Sequence, residues 1–298
     1  MQDREIQTLT PKSAGYPRLL GKIHGPPEVL YVKGTLLEED EAAVAIVGTR
    51  GATPYGLAIA GQLAEELARC GVTVVSGLAE GIDAAAHEGA LKAGGRTIAV
   101  VGHGLSRIYP SQHQKLAERI AESGCIVSEF QMEEKPNPWN FPKRNRIIAG
   151  LSLGTVVVEA PFKSGALITA RFAMEQGREV FAVPGPVSSR QSEGTHALLK
   201  DGAKLVGRVE DILEELAPHL KDCLNRYQAL KPQPVAGAGL SGEEAQVFQA
   251  VPVGSGMGFE GIARATALQP ARLLSVLTGL ELKGLVRQAP GRGFSRAN

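Results

Sequence analysis

Between Glu41 and Leu216 the chain repeats one pattern: a short β-branched apolar run, a glycine-bearing turn, then an amphipathic stretch of helical length. That alternation predicts parallel strands joined by crossover helices. The predicted strands are Val44–Val47, Val72–Ser76, Thr97–Val101, Ile126–Ser128, Thr155–Glu159 and Glu179–Val183. They run apolar with no polar alternate, as strands covered by helices on both faces do. The predicted helices are Tyr55–Cys70, Ile82–Ala93, Gln112–Ser123, Asn145–Leu151 and Ala166–Gln176. Several end at Gly71, Gly94, Gly124 or Gly177, and glycine stops a helix because it enters the left-handed conformation at little cost.

The flanks read differently. Tyr16 to Gly34, rich in Pro and Gly, is expected to pack on the sheet as part of an N-terminal extension, residues 1–40, of a first domain covering 1–219. Residues 220–240 are expected to be a linker, ending in Lys231-Pro232-Gln233-Pro234-Val235-Ala236-Gly237-Ala238-Gly239, which suits neither a helix nor a central strand. In the second domain, 241–298, Ser241 with Glu244 three residues on predicts a capping box. Gly261–Thr266 and Pro270–Lys283 then predict two short helices, and Leu285-Val286-Arg287, a Pro-Gly turn and Phe294 predict a hairpin. The fold class is therefore α/β, a doubly wound parallel sheet followed by a winged helix-turn-helix.

Composition narrows the function classes. Over 298 residues, 43% hydrophobic and 21% charged content is ordinary for a globular protein, and apolar runs such as Thr155 to Val158 fall far short of a membrane span. Met1 to Thr10 is polar and carries both charge signs, unlike a secretory leader, so cytoplasmic residence is expected. Cys70, Cys125 and Cys223 are far apart and outside any metal-ligand spacing, so no metal or cofactor is expected. A net charge of +1 says little about partners, because a local basic patch can hide in a neutral sum.

Candidate chemistry sits where strands end. In an open parallel sheet, ligands settle at the carboxyl ends of the strands, where a helix N-terminus offers free N–H groups to phosphate. Gly48-Thr49-Arg50 follows the first strand, with Arg50 supplying a fork-shaped cation, but the spacing is not that of a dinucleotide fingerprint. Lys163 and the amides of Ser164, Gly165 and Ala166 open a later helix, without the frame of a Walker A loop. The connection Pro136-Asn137-Pro138-Trp139-Asn140-Phe141-Pro142-Lys143-Arg144-Asn145-Arg146 sets cations beside aromatics. Unpaired nucleic acid is held by such cations along its backbone and by rings that stack on bases, at roughly 1–3 kcal/mol per base. The same rings would also serve to plug the core beneath a long loop. Asp83 and His87, one helical turn apart, suit either a catalytic pair or, better, a mutually satisfied cap-and-helix arrangement; no catalytic residue is assigned.

These segments form a set. Val47-Gly48-Thr49-Arg50, Ser76 to Asp83, Ile108-Tyr109-Pro110, Asn140 to Leu151, Glu159-Ala160-Pro161 through Arg171 and Val183-Pro184-Gly185 occur in the order seen in the DNA-processing protein A (DprA/Smf) family. The chain resembles that family from about Tyr16 to Leu216. The resemblance implies an extended Rossmann-like domain that binds single-stranded DNA without strong sequence preference, forms a homodimer and loads the RecA recombinase onto incoming strands in natural transformation. It implies a DNA pocket of Arg50, Phe141, Lys143, Arg144, Arg146 and Lys163, to which the reading of the turns adds Gly48, Thr49, Asn145, Ser164 and Gly165. Dimer and RecA contacts would involve Gly194 to Val206 and the helix holding Met174. The resemblance departs at the N-terminus, where many members carry a small helical domain and fifteen residues precede Tyr16 here.

Two rivals remain. A nucleotide N-glycosidic hydrolase shares the Rossmann subtype, but no carboxylate follows Thr169 until Glu175 to assist a leaving base. Duplex DNA, or a protein, is the other candidate ligand, bound by the winged helix, where Arg264, Arg272, Arg287, Arg292 and Arg296 would reach phosphates.

Overall fold

The computed structural model describes residues 6–230, 240–252, 256–283, 285–289 and 293–296. The extension adds two strands, β1 (Gln7–Leu9) and β2 (Leu30–Gly34). The expected alternation follows: β3 (Ala43–Val47), α1 (Pro54–Arg69), β4 (Thr73–Ser76), α2 (Ile82–Lys92), β5 (Thr97–Val100), α3 (Gln114–Ser123), β6 (Cys125–Ser128), α4 (Asn140–Gly150), β7 (Gly154–Val157), α5 (Gly165–Glu175) and β8 (Glu179–Ala182). After it come α6 (Glu193–Lys200), β9 (Lys204–Leu205), α7 (Val209–Glu215) and α8 (Ala217–Leu230).

The sheet order is β1-β2-β6-β5-β4-β3-β7-β8-β9. From β6 to β9 all pairings are parallel, while β2 joins β6 and β1 joins β2 antiparallel. From β3 the chain winds outward through β4, β5 and β6, then returns to β3's other side with β7. The crevice between β3 and β7 is therefore the topological switch point, where open α/β sheets bind ligands.

The apolar runs lack a polar alternate because each strand feeds two cores. Ala43, Ala45 and Val47 of β3 join Ile147, Ile148, Ala170 and Leu198 on one face. Val44 and Ile46 join Leu63, Leu67, Ala86 and Ile212 on the other. Each buried Val or Ile contributes roughly 1.5–3 kcal/mol, so placing both residue parities inside is what fixes the strands between two helix layers.

Three expectations change. Gly71, Gly94 and Gly177 do take positive φ at helix ends, but Gly124 has φ −160°, and a Cβ there would stand 2.0 Å from the Thr97 carbonyl oxygen. Close approach, not handedness, demands that glycine. Helix α4 begins at Asn140 instead of Asn145, because Pro142 lies in its first turn, where no N–H has an intrahelical partner to lose. The expected linker opens in helix: α8 runs to Leu230 with a kink at Leu220, and Leu220 and Cys223 are buried against the α1 and α7 core. Lys231 to Gly239 lies outside the described residues.

The chain divides into two compact units, Met1–Tyr227 and Gln228–Asn298. In the second, α9 (Gly242–Ala250), β10 (Met257–Gly258), α10 (Phe259–Thr266), α11 (Pro270–Leu282), β11 (Val286–Ala289) and β12 (Gly293–Arg296) give winged-helix topology, with sheet order β10-β12-β11. The capping box is present: Glu244 N–H donates to Ser241 Oγ at 3.3 Å, and Ser241 N–H donates to Glu244 at 2.9 Å. Val247, Ile262, Leu273, Leu277 and Phe294 form its core. The expected Pro-Gly turn lies outside the described residues.

Candidate nucleic-acid interface

The turns after β3 and β7 are locked together at the switch point. Thr49 N–H donates to the Glu159 carbonyl at 2.7 Å, and Thr53 gives both its N–H (2.9 Å) and its hydroxyl (2.6 Å) to the Glu159 carboxylate. Thr53 Oγ1 in turn accepts from Gly56 N–H and caps α1, while Ser164 Oγ accepts from Ala166 N–H and caps α5. Asn145 Nδ2 donates to the Gly165 carbonyl at 3.2 Å, tying α4 to the second turn. These bonds hold open a cleft of about 840 Å³ at the carboxyl end of the sheet.

Of the sequence-predicted residues, Gly48, Thr49, Arg50, Phe141, Arg144, Asn145, Lys163, Ser164 and Gly165 line this cleft. Lys143 and Arg146 do not. Helical spacing separates them: Phe141, Arg144, Asn145 and Ile148 share one face of α4, and the next face turns toward Glu129. Arg146 pairs with Glu129 at 2.7 Å, and Lys143 Nζ stands 3.7 Å from it and 5.5 Å from the centre of the Phe130 ring. Tyr16 lies close to this pair, and burial pushes its phenol up to about 12.

The cations that do line the cleft differ in availability. Arg144 is 5% exposed and donates to the carbonyls of Gly77 (2.9 Å) and Val100 and to Asn145 Oδ1 (3.1 Å). Burial pulls its guanidinium down to about 10, against the opposing field of Asp83. Gly77 makes room for this pair: a Cβ there would fall 2.6 Å from Asp83 Oδ2 and 2.7 Å from an Arg144 nitrogen. Arg50 and Lys163, by contrast, are exposed and have no ion-pair partner among the described residues. The Arg50 guanidinium lies over the Phe141 ring, 5.4 Å from its centroid, a cation–π contact.

Residues absent from the predicted set also line the cleft. Arg190 adds a third exposed cation, and Tyr109 and Phe162 add rings. Tyr109 lies within the Ile108-Tyr109-Pro110 segment and Phe162 directly precedes Lys163, so both had a signal; Arg190, in a short 3₁₀ turn before α6, had none. Asp83 and His87 are not a pair. Asp83 accepts from Gly77 N–H (3.1 Å) and Ala79 N–H (3.4 Å), with its carboxyl raised mainly by burial. His87 Nδ1 meets Thr97 Oγ1 at 2.7 Å, and burial lowers its imidazole to about 3. The helix places them a turn apart, but each makes its hydrogen bonds elsewhere, and among the described residues the buried His87 Nε2 has no partner. Among the described residues, no group of three or more His, Cys, Asp or Glu side chains could hold a metal ion.

In the second unit, two of the arginines expected to reach phosphate are engaged. Arg296 donates to the carbonyls of Phe248 (3.0 Å), Val251 (2.8 Å) and Gln249 (3.0 Å), closing the end of α9, and Arg272 pairs with Glu243 at 2.7 Å. Arg264 and Arg287 are exposed, and Arg292 lies outside the described residues.

Comparison with known proteins decides the family. The family model for DNA recombination-mediator protein A matches residues 7–217, and that for the DprA winged helix domain matches 231–292. The chain belongs to the DNA recombination-mediator protein A family. It is 46% identical over 217 residues to the DNA processing protein DprA of Bacillus subtilis, covering 72% of this chain and 73% of that one. It is 49% identical over 202 residues to Protein Smf of Escherichia coli, covering 67% of this chain and 54% of that one, so the match spans little more than half of this relative. A solved structure of DNA processing protein A from Helicobacter pylori, concerned with its single-stranded DNA binding mode, superposes with a TM-score of 0.64 at 32% identity, over 72% of this chain and 96% of the other. For this member of the DNA recombination-mediator protein A family, the Rossmann-like first unit and the winged-helix second unit are the family's two matched parts.

Proposed function

We propose that this chain binds single-stranded DNA in the switch-point cleft and acts by holding the strand, not by cleaving it. One observation carries the reading: the exposed cations Arg50, Lys163 and Arg190 line the same cleft as Tyr109, Phe141 and Phe162. Cations following a backbone, with rings for unpaired bases, are the parts that a sequence-tolerant single-strand site needs. The single-stranded DNA binding mode described for the Helicobacter pylori relative supports it. Salt-titrated binding of single-stranded against duplex oligonucleotides tests it. Tighter single-strand binding with a steep salt dependence is expected, and equal affinity for duplex would overturn it.

The finer reading is a protein that protects incoming single strands and loads the RecA recombinase in transformation and recombination, as a cytoplasmic homodimer. The matched family's designation as a recombination mediator supports this. No helix among the described residues is long and apolar enough to cross a membrane. A strand-exchange assay in which RecA must compete for coated DNA tests the loading role.

For the hydrolase alternative, the lining carboxylates are Asp83, held by two backbone amides, and Glu193; neither lies in the segment directly after Thr169, where the first carboxylate, Glu175, stands 3.7 Å from Arg171. Release of free base from nucleoside monophosphates would revive it. On the second unit, the exposed Leu274 and Leu282 of α11 suit a protein contact, and the exposed Arg264 and Arg287 suit a duplex contact. Deleting Ser241–Asn298 with no change in either DNA affinity is the outcome expected of a protein contact.

A further inference from the structure

The ring that the sequence marks for stacking is partly occupied. Phe141 is half-buried; the Arg50 guanidinium covers it at 5.4 Å, Tyr109 leans on it at 6.0 Å and 34°, and Gly102 lies so close that a Cβ there would be 2.9 Å from the ring. Part of the Phe141 ring is therefore already taken up by contacts within the protein.

Two other rings carry no ring or cation contact among the described residues. Trp139 is 84% exposed and Phe162 67% exposed, the first at the N-terminus of α4, the second in the turn before α5. Phe162 lines the cleft, and Trp139 adjoins Pro138, which also does. Exposed rings beside cations match the needs of unpaired bases.

We infer that bases of the bound strand stack on Trp139 and Phe162 at the mouth of the cleft, while Phe141 serves as the seat that orients Arg50 toward phosphate. The inference rests on the single-strand reading of the cleft and adds a base-stacking subsite beyond it. It also selects the ligand: paired bases have no free faces to offer these rings, so the subsite takes unpaired strands only.

The chain contains one tryptophan, so its emission reports Trp139 alone. In the full chain, binding of a short oligo-dT and of the same strand with abasic sites is followed by anisotropy of a labelled end, and Trp139 emission is recorded in parallel. The base-bearing strand should quench Trp139, and the abasic strand should bind more weakly, with the same salt dependence and no quenching. Trp139→Ala and Phe162→Ala should each weaken oligo-dT binding about fivefold or more with the salt slope unchanged. Phe141→Ala should instead lower the slope, because Arg50 loses its seat. Both rings are exposed, so far-ultraviolet circular dichroism should be unaltered in the first two variants. Binding by the wild type without any change in Trp139 emission, or wild-type affinity in both alanine variants, overturns the subsite and leaves the cleft reading standing. Failure of the wild type to bind either strand overturns both.

Discussion

The cations of α4 and the cations of the flanking turns look alike in the sequence and behave oppositely in the fold. Arg144 and Arg146 are turned inward, one held by backbone carbonyls beside Asp83 and the other by Glu129. Arg50, Lys163 and Arg190 stand in water at the cleft, with no acidic partner among the described residues. The difference teaches that an arginine in a basic stretch is available to phosphate only if the fold has not already used its donors. In α4, Arg144 commits its donors to the cleft wall and Arg146 commits its own to Glu129, while the cations of the turns have no ion-pair partner among the described residues.

The strongest break of this comparison is Arg144→Ala. It leaves the buried Gly77 and Val100 carbonyls without their donor and removes the cation whose field favours the Asp83 carboxylate, so unfolding in denaturant should show a loss of about 3–5 kcal/mol. Wild-type stability with weakened DNA binding would instead make Arg144 a ligand contact. Next in size, Arg50→Ala combined with Lys163→Ala should weaken single-strand binding about tenfold or more while leaving stability within about 0.5 kcal/mol. The slope of log affinity against log salt should fall by about 0.7 for each lost contact, and an unchanged slope would remove them from the phosphate path.

Acid sharpens the contrast between buried and exposed groups. His87 is held near 3 in the folded chain against 6.5 when free, first by burial and then by the nearby His113 and Arg144 charges. Below pH 6.5 the unfolded chain takes up a proton that the native chain refuses, so stability is complete above 6.5 and falls progressively toward pH 3. Asp83, raised by burial, titrates in the opposite sense, so the His87→Gln variant isolates the histidine: its stability curve should be flatter between pH 6 and 4. Smallest of all, Lys143→Ala should change oligonucleotide affinity less than about twofold, since its side chain is 59% exposed and 3.7 Å from Glu129, outside the cleft. A loss equal to that of Arg50 would place the strand's path across α4.

Much of this was legible from the chain. The apolar runs of β3, β4 and β5 and their glycine-ended helices stand within a residue or two of their expected bounds, because burial on both faces leaves a strong local signal. Gly48 to Arg50 and Lys163 to Gly165 were marked by their place at strand ends, and they do share one cleft. Helices α6 and α7 left little trace, being short and carrying few apolar residues each. The open linker start failed for a related reason: Leu220, Cys223 and Tyr227 have helical spacing that only the neighbouring α1 surface makes worth burying.

The sequence by itself determined the strand-and-helix alternation, the order of the turns and therefore which residues reach the carboxyl ends of the sheet, since periodicity and glycine placement are local properties. Tertiary structure alone decided which charges face solvent. Whether Arg144 or Arg50 meets a phosphate depends on carbonyls and carboxylates brought in from β4, α2 and β5, and no spacing along the chain records those distances.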